Sequence, residues 1–464
     1  MSALLNVNKI LKGQERSGEI PDEKSLIKRA IKIAWPSITE SFLVSLVVMI
    51  DSAMVGTIGA HAIAAVGLTT QPKFIGLAIF ISLNTAVSAI VARRKGECDS
   101  ESANNVLRMA LAITLVLAAI VSVICVTFAD PIIRMMGSEA DTHSEAVTYY
   151  RIIMGGMIFN VVSLVINAAQ RGVGNTKITM RTNITSNLVN VVLNYLLIGG
   201  NLGFPKLGVA GAAIATVCGT VVACAMSVAS VMHKGDFLNL RHNFKIEFDK
   251  RSISSILNIG SSTLVEQIFL RIGFLLFALT VTNLGTNPFA AHQIGMNILT
   301  ISFSLGDGLS IASVALVGQS LGEKRDDLAK IYASVCQRIG LLFSLILSIL
   351  FVVLGNRFFM IFTTEPDILD YGSILMRMMT VIVFMQVAQV IYSGSLRGAG
   401  DTKFTALISF ISTAIIRPLL SWAFCYPLGW GLIGAWIGLT ADQTIRIFAM
   451  FFRFKSGKWT KMKV

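Results

Sequence analysis

The sequence predicts an all-α integral membrane protein of twelve transmembrane helices, built as two six-helix lobes related by a parallel repeat. Three observations carry this expectation. Hydrophobic residues make up 54% of the 464-residue chain and charged residues only 14%, whereas soluble domains carry about 25% charged residues. Apolar runs of about 20 residues, long enough to cross a bilayer, recur along the chain. Finally, the stretch Arg171-Gly-Val-Gly-Asn-Thr-Lys177 returns as Arg397-Gly-Ala-Gly-Asp-Thr-Lys403, an offset of 397 − 171 = 226 residues.

The offset extends well beyond that motif. Glu40 pairs with Glu266, Ala64-Ala65 with Ala290-Ala291, Gly96-Glu97 with Gly322-Glu323, and Arg151 with Arg377. Toward the end of each half the register slips, so that Gly208-Val-Ala-Gly-Ala matches Gly431-Leu-Ile-Gly-Ala. A period this long is a duplicated domain rather than a solenoid repeat. Glycines followed by lysine suggest a phosphate loop, but the order G-x-x-x-x-G-K-[ST] is absent from both copies and no strand precedes either. The motif reads instead as a tight basic connector between membrane helices, held on the cytoplasmic side.

The elements follow in order. Residues 1–30 form a cytoplasmic lead-in, with Lys24, Lys28, Arg29 and Lys32 flanking the first span and Trp35 at the interface. Pro36 begins span 1, which reaches Gly56. Spans 2 to 6 fall near 62–92, 103–128, 147–170, 178–198 and 209–232, with an acidic connector (Asp130, Glu139, Asp141, Glu145) after span 3. The N-lobe is thus 31–233 and a basic cytoplasmic linker covers 234–251. The C-lobe, 252–464, repeats the plan near 253–282, 289–319, 328–354, 368–395, 403–427 and 431–453, and ends in a basic cytoplasmic tail. Basic residues mark alternate loops, which places both termini in the cytoplasm. Each half has an even number of spans, so the halves share one orientation.

Composition and spacing exclude several classes. The net charge of +13 follows the membrane-orientation pattern and not a nucleic-acid surface. The six cysteines lack metal or disulfide spacing and read as small buried residues. The polar start of the chain shows no cleavage site, so no signal peptide is expected. No HExxH or Asp/His catalytic cluster suggests an enzyme, and no charge ring or filter-like loop suggests a passive channel. No cofactor and no metal site are expected.

Ionised groups inside hydrocarbon cost roughly 2.5–3.5 kcal/mol each on insertion scales and mark functional sites. Asp51, well inside span 1, is the leading candidate for an ion carrier. The plain alternative is a carboxylate at the outer mouth, or one permanently paired with a backbone group. Asn190 and Asn194 stand one turn apart on span 5. With Thr216 on span 6 they offer oxygen ligands to a cation, hydrogen bonds to Asp51, or interhelical glue. Gln71, Asn84, Gln386 and Gln389 line a polar cavity or pack. Glu40 and Glu266, at equivalent places in spans 1 and 7, read as capping or gate residues, with Arg271 near enough along the helix to neutralise Glu266. Asp307, in Gly306-Asp-Gly308, marks an expected break in span 8. His292 reads as a packed residue.

With these residues placed, the chain resembles the MATE family, the multidrug and toxic compound extrusion transporters. The resemblance rests on Asp51-Ser-Ala-Met-Val-Gly56, Ala64-Ala-Val-Gly67 and Gln71-Pro72, together with the first copy of the glycine motif. In the second half it rests on Ala290-Ala-His-Gln-Ile294, Gly318-Gln-Ser-Leu-Gly322 and Leu396-Arg-Gly-Ala-Gly-Asp-Thr402. It implies two six-helix lobes and secondary antiport of organic, cationic or amphipathic compounds against H+ or Na+ by alternating access. It also implies a multi-pass protein of the inner (plasma) membrane that works as a monomer on small organic substrates. Within the family the chain is most similar to the DinF-like branch, whose span 1 proline and aspartate match Pro36 and Asp51 and whose span 5 asparagine matches Asn190. It departs at Asn194, where that branch often carries a second aspartate, and a single carboxylate favours H+ over Na+. The NorM-like branch uses second-lobe acids; here the span 10 position is Gln386, and Glu266 lies about one turn from the span 7 position. The alternative is a flippase for a lipid-linked oligosaccharide, which needs cationic residues inside the membrane, with Arg271 the main candidate.

Overall fold

A computed structural model describes residues 10, 17–233, 235–241 and 249–462. Among them every regular element is a helix. In chain order these are α1 (Glu23–Gly56), α2 (Ala60–Gly96), α3 (Ser100–Thr127), α4 (Ala129–Met135), α5 (Ala140–Gly155), α6 (Met157–Gly172), α7 (Thr176–Gly199) and α8 (Gly208–Ser230). The second half gives α9 (Lys250–Thr282), α10 (Thr286–Gly322), α11 (Asp326–Met360), α12 (Pro366–Gly398), α13 (Thr402–Ser409), a π-helical stretch Phe410–Ile416, α14 (Arg417–Cys425) and α15 (Gly431–Ser456).

Among the described residues nine helices are long and apolar enough to cross a membrane. A tenth span appears if α5 and α6, bent by 47° at their junction, count as one. The two remaining long helices, α7 and α15, are the polar ones: α7 carries Asn190 and Asn194, and α15 carries Asp442, Gln443 and Arg446. Much of the connector after span 3 is itself helical, as α4 and the first turns of α5.

Chain contacts divide the molecule into two compact units, Phe42–Gly260 and Ser261–Val464 together with Met1–Ser41. In the first unit Phe80, Ala118, Tyr150, Met154 and Val161 form a core, and Val55, Tyr149, Ile198 and Val209 form a second one beneath the end of α1. In the second unit Phe277, Leu309, Leu316, Met379, Ile382 and Trp436 are among the buried centre.

The repeated motif has the same physical job in both units. A Cβ at Gly172 would lie 2.6 Å from Ser88 O, and one at Gly398 would lie 2.6 Å from Val314 O, so each helix can end against its neighbour's backbone only without a side chain. The next glycines, Gly174 (φ 87°) and Gly400 (φ 88°), turn the chain through the left-handed region. Non-glycine residues repeat as well: Cys98 (φ 57°) and Lys324 (φ 58°), 226 apart, share one strained turn after Gly96 and Gly322.

The π-helical stretch shifts this register by one residue. Leu207 N–H donates to Leu197 O in the first unit, and Trp430 N–H to Phe424 O in the second. Cβ atoms at Gly211 and Gly434 would each lie 2.6 Å from those same carbonyls. The matched carbonyls are 424 − 197 = 227 apart, and the matched glycines 434 − 211 = 223. A π turn holds more residues than an α turn, which accommodates the additional one.

Two local expectations are corrected. Helix α1 starts at Glu23, so Pro36 lies inside it and does not begin it. The break expected at Gly306-Asp-Gly308 does not occur, because α10 runs through it without a non-helical residue. Those glycines serve packing instead: a Cβ at Gly308 would sit 2.6 Å from Ile38 Cα.

Candidate functional site

The second half of α1 brings Asp51 against α7 in the first unit. Asn194 Nδ2 donates to Asp51 Oδ1 at 2.8 Å. The Asn190 amide lies 2.9 and 3.2 Å from the two carboxylate oxygens. An ionised carboxylate only accepts, so the amide nitrogen faces it, and the amide oxygen then lies 3.2 Å from both Thr216 N and Oγ1. The small residues of α8 allow this approach: a Cβ at Gly219 would lie 2.9 Å from Ser186 O, and Ser186 Oγ donates to Gly219 O at 2.7 Å. Asn190 and Asn194 are buried, yet Asn194 Oδ1 has no partner among the described residues. The structure thus joins Asp51, Asn190, Asn194 and Thr216 in one cluster.

The other singled-out residues are dispersed. Gln71 is exposed on α2. Asn84, on the same helix, has a buried Oδ1 without a partner among the described residues, and at 1.5 Å per residue it stands about 20 Å along the axis from Gln71. In the second unit Gln386 Oε1 accepts from Ser302 Oγ at 2.9 Å, and Gln389 is buried one turn on. Pro36 and Glu40 are buried, while Arg271 and Asp307 are partly exposed. Sequence spacing offered Arg271 to Glu266, but the ion pair formed is with Arg397, whose Nη2 donates to Glu266 Oε1 at 2.6 Å. Ser409 and Thr405 hydroxyls add bonds at 3.0 and 3.3 Å. His292 is packed edge-on against Phe277 and Trp436.

A family model described as MatE matches residues 36–196 and again 263–423. The chain belongs to the MatE family. Among relatives of this MATE transporter, "Probable multidrug resistance protein NorM" of Thermotoga maritima is 28% identical over 453 residues, covering 96% of this chain and 95% of the relative. "Uncharacterized transporter YisQ" of Bacillus subtilis is 26% identical over 431 residues, covering 92% and 94%. Two solved structures share the fold at 21% identity. One is an outward-facing multidrug resistance MATE family transporter of the MOP superfamily, with TM-score 0.86 over 95% of this chain and 100% of that one. The other is a MOP superfamily transporter from Pyrococcus furiosus, with TM-score 0.85 over 96% and 100%. The family consists of transporters and not enzymes.

Two features of this MATE transporter escaped the sequence reading. The charge of Asp51 reaches Lys73 on α2 and Tyr149 on α5; Lys73 stands two residues after Gln71 and was passed over. The second is a buried charge cluster in the second unit, where Asp442 of α15 is held by Arg417 and Arg446. The clue available was the acid–base pair at i, i+4 within the apolar run 431–453. With the corrected register, Asp51 corresponds to Phe277, Asn190 to Arg417 (offset 227), and Thr216 to Leu439 (offset 223). The two units therefore differ in chemistry at matching places. One has a carboxylate among amides, the other a guanidinium 5.7 Å from an aromatic ring.

Proposed function

We propose that this MATE transporter is a secondary active antiporter that exports small organic compounds, cationic or amphipathic, in exchange for H+ rather than Na+, by alternating access. Multidrug resistance is the role named for the Thermotoga maritima relative and for the outward-facing transporter. The observation that carries the ion assignment is the unpartnered Asn194 Oδ1 on an amide whose Nδ2 already bonds Asp51. Ionised Asp51 accepts the two amide N–H groups. Once protonated it has an O–H to give, and a carboxylic acid beside a primary amide forms a two-bond ring with one bond in each direction. The same amide then serves both protonation states, and proton uptake satisfies its buried acceptor. A hard cation instead collects about six oxygen ligands, whereas here amide nitrogens face the carboxylate. Proton uptake also removes the charge with which an organic cation pairs, so that H+ entry and substrate release compete. That difference in free energy biases the two states of the transporter.

In this reading Gln71, Asn84, Gln386 and Gln389 supply polar contacts to substrate, and Pro36, Glu40, Glu266, Arg271 and Asp307 gate or brace the helices. The protein lies in the inner (plasma) membrane as a monomer, with an N-lobe of 31–233, a linker of 234–251, a C-lobe of 252–464 and both termini cytoplasmic. The test is transport of a fluorescent organic cation into everted vesicles under separate gradients. A pH gradient without Na+ is expected to drive it, and a Na+ gradient at equal pH is not. Transport driven by the Na+ gradient alone overturns the H+ assignment.

A further inference from the structure

We propose that the second unit contains a buried binding site for a small inorganic monovalent anion of halide size, at the guanidinium groups of Arg417 and Arg446. The inference is independent of the coupling ion and of the exported compound. Asp442 is fully buried, and its acceptor capacity is taken up. Its Oδ2 receives Arg417 Nε at 3.0 Å, Arg417 Nη2, and Arg446 Nη2 at 3.3 Å. Its Oδ1 receives the Ser412 hydroxyl and the Thr413 hydroxyl at 3.4 Å. Two N–H donors on the same guanidinium groups, Arg417 Nη1 and Arg446 Nε, are buried with no partner among the described residues. Both arginines are more than nine-tenths buried. Both groups meet at one carboxylate oxygen, Asp442 Oδ2, and Arg417 Nη1 lies on the side of its guanidinium opposite the Nε–Nη2 edge that binds it.

Charge points the same way. Glu266, whose field reaches Arg446, is already engaged by Arg397. Three guanidinium groups thus meet two carboxylates, and the excess positive charge has a buried part, Arg417 and Arg446 against the single carboxylate of Asp442, where an uncompensated charge is expensive. Phe274 and Phe277 lie near Arg417, at 4.9 and 5.7 Å. Rings attract a cation through its face and give an in-plane N–H no acceptor. A halide supplies the missing charge and accepts from both donors. Its size is set by the closure of the cluster, where Arg417 is 1% and Asp442 0% exposed. The first unit has Gly219 and Ala223 at the places of Asp442 and Arg446 (offset 223), so the site belongs to the second unit alone.

The experiment uses full-length purified protein in detergent, with chloride replacing gluconate at constant ionic strength and constant Na+. The thermal unfolding midpoint is expected to rise saturably with chloride, and bromide should substitute for it. Arg446→Gln removes one donor and the excess charge, and should raise the half-saturating chloride concentration at least about tenfold, the scale of a hydrogen bond to a charged group. Glu266→Gln raises the excess charge and should lower that concentration. The opposite signs separate binding from a general effect on stability, and the wild-type and Glu266→Gln pair decides the matter if Arg446→Gln fails to fold. No saturable chloride response in the wild type, or the same half-saturation in wild type and Glu266→Gln, overturns the proposal.

Discussion

Asp51→Asn separates coupling from folding. Asparagine keeps the shape of the carboxylate but has one acceptor oxygen and an NH2 group in place of the second. In the wild type two amide N–H groups converge on Asp51, at 2.8 Å from Asn194 and 2.9 Å from Asn190. The variant loses one charge-assisted bond, worth about 1.5–3 kcal/mol. The new NH2 can turn toward Asn194 Oδ1, which has no other partner among the described residues, and recover about 1 kcal/mol of that. The net cost is about 1 kcal/mol, small enough for the fold to persist. Coupling has no such compensation. If one proton exchanges per substrate without net charge movement, a gradient of one pH unit supplies about 1.4 kcal/mol, or a tenfold concentration ratio. In proteoliposomes with an imposed pH gradient, the wild type should approach that ratio and the variant should remain at equilibration. A variant that still concentrates the dye against its gradient would remove Asp51 from the mechanism.

Three further outcomes are expected. Gly172→Val and Gly398→Val each drive a side chain into a backbone carbonyl 2.6 Å from the Cβ and should cost about 1–3 kcal/mol or more, read as a lowered unfolding midpoint. Gly67→Ala, where nothing lies within 4 Å, is the control, and equal midpoints for all three would refute the close-packing account. Asp99 caps α3, accepting from Ser102 Oγ at 2.6 Å and Ser102 N at 2.9 Å, and these bonds, the hydroxyl's first, hold its carboxyl below the ordinary range. A depressed value stabilises above the unfolded carboxylate value of about 3.9, and that contribution disappears as pH falls through the folded value. Asp99→Ala should therefore cost about 1 kcal/mol at neutral pH and progressively less in acid, which denaturation at several pH values checks. In a cysteine-free background, Arg241→Cys should react with an impermeant maleimide only after the cells are opened. Labelling in intact cells would reverse the proposed orientation.

What the sequence made legible was whatever repeats or lies close along the chain. The offset of 226 could be read because Arg-Gly-x-Gly recurs intact, and the structure explains the recurrence by two identical backbone approaches, at Ser88 and Val314. Asn190 and Asn194 could be grouped because four residues make one helical turn. Their approach to Asp51, 143 residues away from Asn194, was only one of several alternatives. Arg397 was missed as the partner of Glu266 because it comes from the last turn of α12, 131 residues further on. Arg271 looked suitable only because it shares a helix with Glu266. Glycines flanking Asp307 looked like a break, yet a glycine that admits a neighbouring backbone and one that interrupts a helix look alike in a sequence. The meeting of Arg417 and Asp442 was hidden for another reason, since it follows a stretch whose turns are not α-helical.

That stretch, Phe410–Ile416, absorbs an extra residue without turning the helix beyond it. An α-helix turns about 100° per residue, so an insertion in a continuous α-helix would swing every later side chain to another face, whereas a wider turn takes it up and only the numbering moves by one. Arg417 thereby stands at the place of Asn190, and Ser421 at that of Asn194. Duplicated membrane proteins can in this way take up an insertion in one copy with the packing glycines left in register. A gapless comparison of the two copies would look for the change at the wrong residue.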